Sequence, residues 1–145
     1  MRVSLLALAV CGCGGPPAAP DAFLGFCSDQ HPLAPTFTNV QLLFEACTSC
    51  HGATVELPLV PAQSYANLVG KAPPNYAQPP TDESCGVVLV KPGDPAASYL
   101  FQKLSLDMPC AGSRMPLDDI GQSTPLAACA QTLVHDWIEL GARND

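Results

Sequence analysis

The chain has 145 residues, enough for one domain with a single core. Six Lys and Arg against 13 Asp and Glu leave a net charge of −7. That excludes a basic nucleic-acid groove and a polybasic membrane patch, because both need clustered cations. A hydrophobic fraction of 48% excludes a disordered composition, while 16 Pro, 11 Gly and 8 Cys predict short helices, long loops and an oxidising compartment.

The first expected element is an address rather than structure. Arg2 is the sole charge before Asp21, and residues 3–10 form an apolar run too short to span a bilayer. With small residues behind it, this start reads as a secretory signal over 1–12. Cys13 follows the small Gly12 and suits the lipidated first residue of a bacterial lipoprotein better than Cys11, which follows Val10. A plain cleaved signal is the simpler alternative. The expected location is the periplasmic side of a Gram-negative membrane, with a lipid anchor if Cys13 is modified. Residues 13–35 begin with a Gly/Pro-rich stretch that sustains neither a helix nor a central strand, and they are read as a tether.

The domain proper is expected at 36–145, and its class is all-α. Thr36 or Thr38 caps a first helix to about residue 49, with Val40, Leu43, Phe44 and Cys47 on one face. Ser64 caps a short second helix to Leu68, closed by Gly70. Residues 71–93 read as a Pro-rich loop with one candidate strand at 87–90. Pro95, behind Asp94, opens a third helix to about Leu104. Pro125 opens the last helix, capped by Ser123 or Thr124. Its apolar residues Leu126, Ala130, Leu133, Trp137 and Leu140 recur at helical spacing until Gly141 stops it. Loops this long need something to pack on, and a buried cofactor supplies it.

Cys47-Thr48-Ser49-Cys50-His51 is a C-x-x-C-H run, the attachment signature of c-type haem. Two Cys three apart at the end of a helix share a face. Their sulfurs can therefore bond the two vinyl-derived carbons on one porphyrin edge, and the adjacent His brings its imidazole to the iron. Composition alone yields about 0.01 such motifs in this chain. A thioredoxin-like dithiol needs a strand before the motif, whereas a helix is expected here. A zinc site needs two more ligands, and Cys85 with Cys110 lack the usual knuckle spacing. The expectation is one covalent haem c on Cys47 and Cys50, with His51 as an axial ligand. Met108 and Met115 are candidates for the sixth position, each in a loop and each before a Pro. His31 and His135 are rivals that read more simply as surface histidines.

After CTSCH come Lys91-Pro92-Gly93-Asp94-Pro95-Ala96-Ala97-Ser98-Tyr99-Leu100, then Cys110, then Ser113-Arg114-Met115-Pro116, then Trp137-Ile138-Glu139-Leu140-Gly141-Ala142. Together these resemble the class I monohaem cytochrome c domains of planctomycetes and myxobacteria, over roughly 37–145. The resemblance implies the cytochrome c fold, with short helices and long Pro-rich loops around one haem, and Met115 as distal ligand. Met108-Pro109 repeats the same dipeptide ahead of it. Arg114 is placed beside that ligand, either reaching a haem propionate or solvated. Trp137 is read as packing the last helix on the first.

Four further cysteines permit three pairings. Cys85 with Cys110 would brace the loop carrying the Met strap, and Cys27 with Cys129 would tie the N-terminal segment to the last helix. With His51 and Met115 filling both axial positions, and no Ser-His-Asp set, carboxylate pair or P-loop, the expected protein is not an enzyme. It is an exported electron carrier serving redox protein partners. The alternative is a haem-based redox, gas-sensing or catalytic domain with an open or labile sixth position.

Overall fold

The computed structural model describes Cys27 and residues 32–74, 88–118 and 120–145. The expected signal over 1–12, Cys13, His31, Cys85 and much of the Pro-rich loop lie outside the described residues. Four short helices follow in order: α1 (Phe37–Glu45), α2 (Ser64–Leu68), α3 (Tyr99–Ser105) and α4 (Ala128–Glu139). Among the described residues, β pairing is limited to three isolated bridges: Val69 with Val90, Val88 with Ser98, and Leu117 with Ser123. The candidate strand near residue 90 is therefore two single bridges and not a ladder.

Thr36 is the cap of α1, its Oγ1 accepting from the Asn39 amide at 3.3 Å. Thr38 is inside the helix and donates instead to the Asp145 carbonyl at 2.8 Å. The Phe37 amide donates to the Asp145 carboxylate, also at 2.8 Å. Residue 145 thus satisfies an orphan amide at the start of the first helix, where a negative charge also suits the helix dipole. Phe37, Val40, Leu43 and Phe44 form the buried face of α1 and pack on α4, which α3 also touches.

Trp137 is at the centre of that packing. Its ring lies 5.5 Å from Phe37, and its indole N–H donates to the Arg143 carbonyl at 2.9 Å. A buried indole with a satisfied donor anchors a helix pair well, and removing one costs about 3–5 kcal/mol. Helix α4 ends in a Schellman motif. The Gly141 amide donates to Ile138 and the Ala142 amide to Trp137, with Gly141 at φ +99°.

Helix starts differ from the sequence expectation at three places. Ser64 is the first residue inside α2, fully buried, and its hydroxyl donates to Gln41 Oε1. Helix α3 begins at Tyr99, because residues 95–98 form a turn organised by Asp94 and Ser98. Helix α4 begins at Ala128 without a side-chain cap, since Ser123 is paired with Leu117 and Thr124 donates its amide to Pro116. Cys27 and Cys129 form a disulfide that spans 102 residues of chain. Cys110 is also disulfide-bonded; Cys85, its expected partner, lies outside the described residues.

Candidate functional site

Helix α1 stops at Glu45, and the chain continues as a tight turn through Cys47, Cys50 and His51. The two Cys are therefore not on the helix. The Cys50 amide donates to the Cys47 carbonyl at 3.2 Å, and the His51 amide donates to the same carbonyl at 2.8 Å. An i to i+3 bond winds three residues per turn, so side chains three apart eclipse. The Cys50 bond is of that kind and the His51 bond is of the α kind, so the segment is a mixed turn that closes on the Cys47 carbonyl rather than a continuation of α1. The turn is close-packed at its exit, where a Cβ on Gly52 would stand 3.2 Å from the Thr48 carbonyl.

Both thiols are free, whereas Cys27, Cys110 and Cys129 are oxidised. Burial, and then the neighbouring Cys50, push the Cys47 thiol up to about 11. Cys47 is therefore a thiol rather than a thiolate at neutral pH. Among the described residues, the one group of metal-ligating side chains close enough to share an ion is His135, Asp136 and Glu139, far in sequence from this turn.

The His51 ring is oriented by a neighbouring loop. Its Nδ1 lies 3.1 Å from the Leu57 carbonyl, and its own carbonyl accepts from the Leu59 amide at 2.9 Å. A carbonyl only accepts, so Nδ1 carries the proton and the neutral ring keeps its lone pair on Nε2. The loop is braced in turn by Gln41 of α1, whose amide donates to the Leu59 carbonyl at 3.0 Å.

Met115 and Met108 have different surroundings. Met115 is half-buried and packs against the same core that Cys47 and Leu57 rim. Its amide donates to the Lys103 carbonyl at 2.7 Å, and its bond to Pro116 is cis. Met108 is 88% exposed. Arg114 is buried rather than solvated, paired with Asp107 and donating to the Leu104 carbonyl at 3.4 Å. Its Nε has no protein partner. His135 is half-buried, with Nδ1 2.8 Å from Asp136 and its ring against Phe101.

Two free thiols, an imidazole with its lone pair on Nε2 and a half-buried thioether on a backbone-anchored strap are the donor set a c-type haem takes, so the chemistry of the residues present fits that group. The open pocket lined by Pro35, Trp137, Leu140, Arg143 and Asp145 is a separate feature of about 140 Å³. It is smaller than ordinary cofactor pockets of about 300 Å³ and upward, and it contains no residue of the turn or the strap.

Sequence reasoning missed Leu57, Gln41 and Lys103. Leu57 acts here through its backbone carbonyl, which residue type does not mark, and Lys103 through both its carbonyl and its ammonium. No family model, curated protein or solved structure matches the chain. Among the described residues, no helix is long and apolar enough to cross a membrane.

Proposed function

We propose that this protein is an exported electron carrier of the cytochrome c kind, with one covalent haem on Cys47 and Cys50 and axial ligation by His51 and Met115. The observation that carries the reading is the turn over 47–51. It carries two unoxidised thiols three residues apart and, directly after the second, an imidazole whose Nδ1 is tied to Leu57. When bound, haem supplies a one-electron couple.

The chain's own residues do the rest. Cys47 and Cys50 would hold the group through their two sulfurs, each as a thioether. His51 offers Nε2, and the Leu57 carbonyl fixes its tautomer and raises its basicity. The Met115 thioether favours the reduced state and so a high potential. His51 and Met115 would together hold the iron, which suits electron transfer better than substrate binding. A net charge of −7 suits redox partners with a basic patch. An N-terminal lipid anchor on Cys13 would hold the domain on the periplasmic side of a membrane.

The test is expression in a host that exports the chain and attaches haem. The denatured protein is expected to weigh one haem more than the processed chain. The reduced spectrum should be low-spin, and the oxidised protein should show the weak near-infrared Met-to-iron band. The unmodified mass alone from that host would overturn the reading. A covalent haem with a high-spin spectrum that shifts under carbon monoxide would favour the gas-sensing or catalytic alternative.

A further inference from the structure

The strap carrying Met115 is gripped by a side chain of the preceding helix. The Lys103 ammonium, on the last turn of α3, sits 5.8 Å from the Tyr99 ring centroid. It donates to the Ala111 carbonyl at 3.3 Å and to the Ser113 carbonyl. The Tyr99 hydroxyl donates to the same Ala111 carbonyl at 2.6 Å. Gly112, between those two carbonyls, takes φ +64°, and a Cβ on it would stand 3.0 Å from Lys103 Nζ. The loop over 111–113 therefore wraps the ammonium, in a conformation that L side chains rarely adopt. The Lys103 carbonyl then accepts from the Met115 amide at 2.7 Å. One residue meets the strap at three points, and the third is the backbone of Met115 itself.

We propose that Lys103 is a positioning residue for the Met115 ligand: its ammonium, by holding the carbonyls of Ala111 and Ser113, keeps the strap docked on α3 with the thioether already in place. The inference rests on the haem reading above. Charge-assisted hydrogen bonds are the stronger ones, and ordering a free loop of this length costs conformational entropy. A ligand drawn from a loop docked only part of the time binds more weakly by that fraction, and an outside ligand gains by the same factor. Leu104 and Asp107 hold Arg114 on the flank of the strap, so the end of α3 grips it on both sides of Ser113.

The test uses the haem-loaded full chain and two variants. Lys103→Met keeps the stem and drops the donors, while Lys103→Arg keeps charge and donors. Mass spectrometry first establishes covalent haem in wild type, and its absence there would sink the haem reading and this inference with it. Imidazole is then titrated into the ferric protein. Its apparent affinity is expected to rise about tenfold or more in Lys103→Met, with weakening of the Met-to-iron band, and to stay within about threefold of wild type in Lys103→Arg. Lys103→Met with wild-type band and imidazole affinity would overturn the inference while leaving the haem reading intact. Should Lys103→Met not fold, Lys103→Gln decides in the same way: it drops the charge and shortens the reach to Ala111 and Ser113, so imidazole is expected to bind more tightly than to wild type. Wild-type band and imidazole affinity in that variant would equally overturn the inference.

Discussion

Met115 and Met108 share a thioether and a following proline, and their surroundings separate them. Met115 is half-buried against the core, with its amide bonded to Lys103, while Met108 is 88% exposed. Met115→Ala is expected to open the sixth position of the proposed haem and lower the reduction potential, since Ala has no donor atom. Met108→Ala is expected to leave the Met-to-iron band and the potential unchanged, and to alter stability by no more than about 0.5 kcal/mol. Redox titration and near-infrared absorption of the two variants check this, and loss of the band in the Met108 variant alone would reverse the assignment. The closeness of Cys47, Cys50 and His51 was legible because their spacing is local and a single turn contains them. Lys103 was not, because its role depends on the path of a loop eight to ten residues further along the chain.

The segment Lys91-Pro92-Gly93-Asp94-Pro95-Ala96-Ala97-Ser98 shows how an element-level expectation shifts. Asp94 and Pro95 predict a helix start, yet α3 begins only at Tyr99. The Asp94 carboxylate accepts from the Ala97 amide at 3.0 Å and from Lys91 Nζ at 2.8 Å. The Ser98 hydroxyl accepts from the Lys91 amide and donates to the Asp94 carbonyl. Short polar side chains that bond nearby backbone compete with helix geometry, and here they convert its first turn into a closed loop. The hydrogen bond from Lys91, and then the one from Ala97, hold the Asp94 carboxyl below its usual 3.8. A carboxylate with a depressed folded pKa contributes stability that is present above the ordinary value. That contribution disappears as pH falls through the folded value. Asp94→Asn keeps an oxygen for the Ala97 amide but cannot ionise. The variant is expected to be less stable than wild type near neutral pH, with the gap closing as pH falls below the ordinary carboxylate range. Thermal unfolding across that range checks the sign, and a gap that persists unchanged into acid would refute it.

At the scale of the molecule, both ends of the domain close on the α1–α4 pair. Cys27 is bonded to Cys129 at the start of α4, and Asp145 meets the first turn of α1. The 47–51 turn leaves the far end of α1, and the strap hangs from α3. The helices carry apolar periodicity and so were foreseeable in outline. The connections were not, because they are held by single backbone bonds and isolated bridges that have no sequence period. This layout separates the clamp on the chain ends from the grip on the proposed ligands. A crosslink spanning 102 residues is worth about 4.7 kcal/mol in the chain-entropy account. Replacing Cys27 and Cys129 together by Ser is therefore expected to lower the denaturant midpoint by a corresponding amount. Covalent haem content and the Met-to-iron band should persist below the new midpoint, because His51 is oriented by Leu57 and Met115 by Lys103, neither of which touches the disulfide in sequence or through a hydrogen bond. Parallel denaturant curves followed by far-ultraviolet dichroism and by the band decide the matter. Coincident transitions at a lower midpoint would show a single cooperative unit in which the ends add stability alone. Loss of the band well before the helices unfold would show instead that the α1–α4 clamp sets the ligand geometry, and that Lys103 holds the strap only while the chain ends are tied.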